Sequence, residues 1–168
     1  MQLPLPFDPI EEAHRQWLAH DLPEPIAMTG TTSIMRAQQI VQSRVDAALR
    51  PLGLTFARYE ALTLLSFTRT GRLPMAKMST RLMLHPASVT HTIDRLERDG
   101  LVRREADRAD GRTRLAAITP AGRRLARKAS QVLGRIRFGL DVDDEVVSQL
   151  VAVVKSVRTA AGDFGPGA

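Results

Sequence analysis

The residues of this sequence whose types and spacing best suit a chemistry are its arginines. The segment 101–137 holds eleven basic residues against three acidic ones, and ten of the eleven are arginine. A guanidinium offers a planar fork of donors that matches a phosphate group, which the ammonium of lysine lacks. A local excess of this size favours a polyanion as partner, although a solvated surface of mixed charge is the common alternative.

Acidic residues concentrate at the two ends of the chain. Residues 1–30 carry one basic side chain against five acidic ones, and residues 138–168 carry two against five. The formal net charge of +6 therefore underestimates how basic the middle of the chain is. We expect the middle of the chain to bind the polyanion and the ends to serve another purpose.

Residues that could support catalysis are few. The sequence has no cysteine, which excludes disulfides, thiolate catalysis, zinc sites built on Cys and redox sensing through a thiol. His14, His20, His85 and His91 show no metal-ligand spacing, and we find no nucleophile motif and no Gly-rich phosphate loop. We therefore expect no enzymatic activity, no metal and no cofactor.

Composition and hydropathy indicate a helical protein without a membrane span. Apolar residues make up 43% of the sequence and aromatic residues only 4%, so the core must be aliphatic, which suits helices. No apolar run approaches the roughly 20 residues that a span needs. The first eight residues lack the basic and apolar regions of a signal peptide. We expect a soluble, cytoplasmic, nucleoid-associated protein with no membrane partner.

Hydrophobic periodicity and capping residues predict mainly α-helix with one small β-hairpin. Asp8 and Pro9 begin a short first helix, which ends before a proline-rich breaker at 21–25. Further helices are predicted over 32–49, 56–68, 75–82, 86–99 and 120–138, with a last helix after the acidic run 141–145. Strands are predicted over 101–105 and 114–118.

The order short helix, turn, capped helix, strand, charged tip, strand between residues 75 and 122 predicts a helix-turn-helix with a β-wing. A helix of about 10–12 Å diameter fits the major groove of DNA, and the neighbouring helix braces it. In the helix after Pro86, the apolar stripe is Val89, Ile93 and Leu96. Small and polar residues at its outward, N-terminal end are the predicted base-reading contacts: Ala87, Ser88, Thr90, His91 and Arg95.

The tip of the predicted hairpin is the second candidate contact. Its residues Arg108 and Arg112, with Arg114 at the start of the second strand, place guanidinium groups at the end of the hairpin, and Asp110 can hold the guanidinium of Arg112 in position. An arginine there can enter a narrow minor groove, where the negative potential is strongest. An ordinary solvated turn of mixed charge is the alternative interpretation of this segment taken alone.

The run from Leu82 to Gly122 resembles the multiple-antibiotic-resistance regulator (MarR) family. The matching pieces are the stretch DRLE at 94–97, GLVRR at 100–104, the wing Asp and Arg pattern at 107–112, and TPAG at 119–122. Because several spaced elements match in order, the resemblance is more specific than any one of them. Helices of matching number and length extend it over roughly residues 30–160.

The resemblance implies a winged helix-turn-helix lobe joined to N- and C-terminal dimerisation helices that interleave between two subunits. On this plan residues 1–30 form an N-terminal extension with a short helix, and 31–54 and 119–161 form the dimerisation helices. Residues 55–118 form the DNA-binding lobe, and 162–168 form a loose tail. The added N-terminal helix departs from the shortest members of the family.

The resemblance also implies a ligand, because such regulators often bind aromatic anions between the dimer helices and the lobe. The candidate ligand-binding residues are Trp17, Arg58 and Tyr59, with Glu60 and His14 as weaker entries. An aromatic face and an arginine would suit a planar carboxylate. The alternatives are that Trp17 packs the first helix onto the dimer and that Arg58 is solvated or in a salt bridge.

Together these features predict a homodimeric repressor. It would bind double-stranded DNA at a pseudo-palindromic operator and be released by a small aromatic or anionic ligand. The alternative is a winged helix repurposed for binding a protein or RNA. Such modules need no basic wing tip and often lack a symmetric dimer, so the features above favour DNA.

Overall fold

The computed structural model describes residues 5–107 and 113–165, and within these ranges it has the predicted order of elements. The fold class, mainly helical with a small winged sheet, is confirmed. The elements in chain order are α1 (Pro9–Ala19), α2 (Pro25–Leu49), α3 (Phe56–Phe67), β1 (Arg72–Pro74), α4 (Met75–Leu82), α5 (Pro86–Arg98), β2 (Val102–Ala106), β3 (Arg114–Ile118), α6 (Pro120–Arg135) and α7 (Asp144–Ala160).

Side-chain caps by Asp8, Thr55 and Thr119 fix the starts of α1, α3 and α6. The Asp8 carboxylate accepts a hydrogen bond from the Ile10 backbone N–H, at 2.8 Å. Thr55 and Thr119 accept from backbone N–H groups in the first turns of α3 and α6. Each cap satisfies one donor that a helix start leaves unpaired, which is why sequence alone located these starts.

The second helix is longer than predicted. It begins at Pro25 rather than near residue 32, so the predicted boundary between residues 30 and 31 falls inside α2. Pro25 stands in the first turn, where its missing N–H costs nothing, and the preceding Glu24 adopts a left-handed conformation with φ 53°. The proline therefore starts this helix instead of breaking it.

A third strand joins the hairpin of the wing. The short strand β1 pairs antiparallel with β3, giving the strand order β1-β3-β2. The Gly71 carbonyl accepts a hydrogen bond from the Ile118 backbone N–H at 2.9 Å, and Leu73 is buried. Three residues that include a proline carry too little alternation to indicate a strand, so the prediction of a two-stranded wing was incomplete.

Helix α6 ends at Arg135, earlier than the predicted position near residue 138. Arg137 and Phe138 have φ angles of 48° and 53°, which break the helical path, and a short 3₁₀ turn follows. The Arg44 guanidinium donates to the Gly139 carbonyl at 3.0 Å, so the turn is fastened to α2. The bend separates α6 from α7 and gives α7 its own direction.

The core lies in the winged lobe and the adjoining end of α2. Its fully buried side chains come from α2, α3, α4, α5, β2 and α6: Leu49, Leu62, Leu65, Met78, Val89, Ile93, Leu96, Val102 and Leu133. By contrast, α7 contains no buried residue, and the first half of α2 is largely exposed. One chain alone therefore leaves the faces of its two outer helices uncovered.

Candidate nucleic-acid interface

Helix α5 has a buried face and an exposed face, and the two are cleanly separated. Val89, Ile93 and Leu96 are at most 2% exposed and anchor the helix in the lobe. Thr92 is also buried, a position that the predicted stripe did not include. The His85 ring accepts a hydrogen bond from the Ala87 N–H at 3.2 Å and caps the helix. The helix is thus held firmly from behind and at its start.

The five predicted base-reading residues all lie on the exposed side of α5. Ala87, Ser88, Thr90, His91 and Arg95 are each exposed to solvent. Across the described ranges, the side chains of the four polar residues have no intramolecular hydrogen-bond or ion-pair partner. Their donors and acceptors are available to a ligand that approaches the helix from outside.

An arginine of the wing ties the acidic residues of α5 to the sheet. Arg104 on β2 forms ion pairs with Asp94 at 2.5 Å and with Glu97 at 3.0 Å. Its backbone N–H also donates to the second oxygen of Glu97, at 2.8 Å. One guanidinium thus pairs with both carboxylates beside the exposed face. These contacts also join the wing to the helix.

Arg58 fastens the far end of α5. Its guanidinium donates to the Gly53 carbonyl at 2.7 Å and forms an ion pair with Asp99, the C-cap of α5. Only 15% of the Arg58 side chain is exposed, although its Nε has no hydrogen-bond partner. Sequence reasoning treated Arg58 as a ligand candidate with a salt bridge as the alternative, and the structure places it in such a bridge.

The wing strands carry one predicted contact residue within the described ranges. Arg114 is exposed and lies opposite Ala106 at the open end of the hairpin. The other three predicted wing contacts, Arg108, Asp110 and Arg112, lie outside the described residues. Glu105 pairs with Arg72 at 3.1 Å and with Arg103 at 2.5 Å, so an acidic residue of β2 is again matched by arginine.

The two aromatic ligand candidates occupy different parts of the chain. Trp17 lies on α1, which packs against α2, and its indole N–H donates to the Pro23 carbonyl at 2.8 Å. Tyr59 lies on α3, is 6% exposed, and hydrogen-bonds through its hydroxyl to Ser130 at 3.1 Å. Trp17 fixes the turn between α1 and α2, whereas Tyr59 joins α3 to α6.

A mainly apolar cavity lies beside Tyr59, where α2 meets α3 and the turn after α6. The Tyr59 ring contacts the rings of Phe56 and Phe138, with centroids 6.0 and 6.5 Å away. Both rings also line the cavity, which has a volume of about 310 Å³ and includes Val41 and Val45. The cavity lies between α2, a predicted dimerisation helix, and α3, the first helix of the predicted lobe.

The weaker ligand candidates are Glu60 and His14. Glu60 on α3 is half-buried, and burial raises the pKa of its carboxyl above the ordinary value. His14 shares a hydrogen bond with Thr29 at 2.8 Å, between α1 and α2. Neither residue lines the apolar cavity beside Tyr59.

Two site pairings were missed by sequence reasoning. The clamp of Arg104 on Asp94 and Glu97 and the bridge from Arg58 to Asp99 join residues that are 7 to 41 positions apart. For the first pairing the sequence did offer a possible signal. Asp94 and Glu97 lie three positions apart on one helix, and Arg103 and Arg104 follow shortly after it. For the second, the sequence offered no local pattern.

Searches for other kinds of site gave negative findings. Within residues 5–107 and 113–165, no group of three His, Asp or Glu side chains could hold a metal ion. No helix of the described part of the chain is long and apolar enough to cross a membrane.

The fold and the exposed polar helix define a winged helix-turn-helix regulator, and comparison with known proteins identifies its family. The sequence profile of the MarR family matches residues 54–113. The HTH-type transcriptional repressor Rv2887 of Mycobacterium tuberculosis is 32% identical over 100 residues, which cover 60% of this chain and 70% of the relative. The chain therefore belongs to the MarR family of transcriptional regulators.

Solved structures agree with this assignment. Sco5413, a MarR family transcriptional regulator from Streptomyces coelicolor, is 49% identical with a TM-score of 0.77, covering 82% of this chain and 96% of that one. CouR from Rhodococcus jostii RHA1, solved bound to p-coumaroyl-CoA, is 30% identical with a TM-score of 0.63. The match to CouR covers 74% of this chain and 87% of CouR.

Proposed function

We propose that this regulator represses transcription as a homodimer that binds a pseudo-palindromic operator in duplex DNA. The observation that carries the proposal is the exposed face of α5, where the side chains of Ser88, Thr90, His91 and Arg95 have no partner in the described chain. Side chains of this kind in the major groove can read a pattern of donors and acceptors that differs for every base pair.

The charge around α5 supports DNA as the partner. Arg104 pairs with both Asp94 and Glu97, so these acids and the arginine together carry a net charge of −1 instead of the −2 that the two acids would present alone to a phosphate backbone. The predicted wing contacts Arg108, Asp110, Arg112 and Arg114 would extend the basic surface to the flanking minor groove. Because phosphate contacts release counterions, the affinity for DNA should fall steeply with salt.

The uncovered faces of α2 and α7 support a second copy of the chain as the other partner. On α7 the side chains of Val151, Val153 and Val157 are 60%, 63% and 53% exposed. On α2 those of Ile26, Ile34 and Met35 are 82%, 50% and 62% exposed. Apolar side chains exposed in this number favour a partner, and a symmetric dimer would place the two α5 helices about one DNA turn apart.

The proposal also includes a small aromatic or anionic ligand, which would weaken operator binding when it binds the regulator. It is supported by the cavity of about 310 Å³ beside Tyr59, which is lined by the second half of α2. It is also supported by CouR, whose solved complex holds p-coumaroyl-CoA, the thioester of an aromatic acid. Trp17 and Arg58 remain candidate ligand residues only if their present hydrogen bonds open when the ligand binds.

Selection of binding sites from random duplexes tests the proposal, with the His91→Ala and Arg112→Ala variants beside the parent. The parent should select an inverted repeat whose half-sites lie about 10 base pairs apart. His91→Ala should change the selected bases, since His91 faces the major groove, where base pairs differ. Arg112→Ala should weaken most duplexes together by about 1–3 kcal/mol.

Three results would contradict the proposal. The first is equal affinity for selected and scrambled duplexes, and the second is tighter binding to single-stranded RNA. The third is an unchanged selected motif in the His91→Ala variant, which would remove α5 from base recognition.

A further inference from the structure

The exposed side of α6 carries a cluster of cations and no acid. The helix contains five basic residues and no Asp or Glu. Four of the five, Arg123, Arg124, Arg127 and Lys128, are exposed and line one surface depression, in which no acidic residue takes part. Residues three and four apart are neighbours on a helix, so these side chains share a face. We refer to these four residues as the α6 basic face.

No acid neutralises this face within the described residues. None of its four cations forms an ion pair in the ranges 5–107 and 113–165. Arg123 donates to the Ser66 carbonyl at 3.1 Å, which positions its guanidinium and leaves its charge in place. Like charges at this spacing repel one another, so an anion that binds across the face relieves the repulsion.

The α6 basic face continues a basic surface of the wing. The Arg123 guanidinium lies against Gly71, which directly precedes Arg72 of β1. Arg72 and Arg103 flank the same residue of β3, so both side chains lie on one face of the sheet. Glu105, an acid on that face, is already paired with both arginines. Guanidinium groups therefore extend from the wing strands to α6.

This surface lies on the side of the wing that is turned away from α5. Arg104 pairs with Asp94 and Glu97, so its side of the sheet faces α5. Side chains alternate along a strand, which puts Arg103 on the opposite side. In the proposed complex α5 occupies the operator and the wing reaches the flanking minor groove. DNA beyond the wing would then lie on the side that bears Arg72, Arg103 and the α6 basic face.

We propose that the α6 basic face binds backbone phosphates of the duplex outside the operator, beyond the segment that the wing contacts. A duplex is favoured over an acidic protein, because the face continues a surface that adjoins DNA in the proposed complex and because a duplex carries about one charge per 1.7 Å. The contact does not depend on base sequence and needs the flanking DNA to bend toward α6, so flexible flanks are favoured. This inference rests on the proposed function and lengthens its DNA interface.

Fluorescence anisotropy with two labelled duplexes tests the inference. One is the selected operator of about 20 base pairs, and the other carries about 20 further base pairs of arbitrary sequence on each side. A duplex of the second length with a scrambled operator measures the binding that needs no operator. After correction for that binding, the parent should bind the extended duplex about tenfold more tightly than the operator alone at low salt, with a steeper dependence on salt.

The double variant Arg124→Gln/Lys128→Gln removes two charges from the face. Neither side chain has a hydrogen bond or an ion pair in the described chain, so the fold should be unaffected. The variant should lose most of the gain that the flanks give. Its slope of log K against log salt on the extended duplex should be shallower by about two units, while its affinity for the operator alone should match that of the parent.

Arg127→Gln and Arg135→Gln form a matched pair of single variants. Both remove an exposed arginine of α6, but Arg135 lines a different cavity, at the far end of the helix. Arg127→Gln should make the salt slope on the extended duplex shallower by about one unit. Arg135→Gln should leave that slope unchanged.

Four results would overturn the inference: the flanks add no affinity for the parent, the double variant keeps the whole gain, the double variant weakens binding to the operator alone as strongly as binding to the extended duplex, or Arg135→Gln has the same effect as Arg127→Gln. In the first case, tighter binding of polyglutamate by the parent than by the double variant would assign the face to an acidic protein instead. Sequence-specific binding of the operator alone is measured in the same titrations, so failure of the proposed function is distinguishable from failure of this contact.

Discussion

At the scale of single residues, Arg104 determines the charge that α5 presents to its surroundings. The residue reaches from β2 to Asp94 and Glu97, and both carboxylates are partly exposed. A surface pair of this kind contributes little to folding. Its effect on a polyanion is larger, because two uncompensated carboxylates beside the reading face would repel phosphates.

We therefore expect Arg104→Gln to lower operator affinity by about tenfold while the free energy of unfolding changes by less than about 1 kcal/mol. Fluorescence anisotropy with labelled operator measures the first quantity, and urea denaturation measures the second. Arg103→Gln is the matched control, since Arg103 is on the same strand and pairs with Glu105 instead. Equal losses in the two variants would refute a specific role for Arg104.

The candidate contact residues could be predicted from sequence because they depend on one local property, the phase of a single helix. Val89, Ile93 and Leu96 fix the buried side, and the opposite side follows from 3.6 residues per turn. The partners of Arg58 and Arg104 could not be predicted in this way. A long side chain on a basic surface has many acids within reach, and only the packed fold selects among them.

At the scale of elements, the start of α6 makes a close contact with the residues that flank the sheet. Gly122 in the first turn of α6 is buried, and a Cβ there would lie 2.2 Å from the Leu101 carbonyl oxygen and 2.9 Å from the Ile118 side chain. The backbone of Leu101 cannot move aside easily, because its carbonyl accepts the Thr119 N–H. The absence of a side chain allows α6 to start against the wing.

Gly122→Ala should accordingly destabilise the protein by about 1–3 kcal/mol, the usual cost of overpacking a filled site. Urea denaturation at one fixed protein concentration measures it. Gly134→Ala serves as the control in the same helix, because a Cβ there has no atom within 4 Å and alanine favours helix by about 1 kcal/mol. The prediction fails if the two variants have the same stability.

The elements themselves were predicted where capping and periodicity agreed, and missed where they were weak. Thr55 and Thr119 marked their helix starts correctly. Strand β1 was missed because three residues carry no periodicity, and it forms only because β3 offers a free edge. The end of α6 was misplaced because the apolar spacing continues past Arg135 although the backbone turns.

At the scale of the whole molecule, a lone chain cannot cover its own apolar surface. We expect light scattering to report a particle of two 18.5 kDa chains at micromolar concentration. Replacing Leu150 and Val153 of α7 by glutamate should dissociate the dimer and abolish operator binding, because charge in a buried apolar interface is costly. Gln149→Glu adds one negative charge on the same helix and should keep the dimer.

A folded monomeric parent, or a charged double variant that stays dimeric, would disprove the interface. The sequence indicated this assembly through apolar stripes at both ends of the chain, beyond a lobe that is already complete. It could not indicate which residues meet, since a stripe defines a face and not its partner.

The unpartnered face of α5 has a consequence for how this regulator could change its target. The side chains of Ser88, Thr90, His91 and Arg95 take part in no hydrogen bond or ion pair in the described chain, so the fold does not depend on their identity. Mutations there can drift through many combinations without a loss of stability that selection would remove. Evolution, or a randomised library at these four positions, can rewrite the recognised sequence while the scaffold stays as it is.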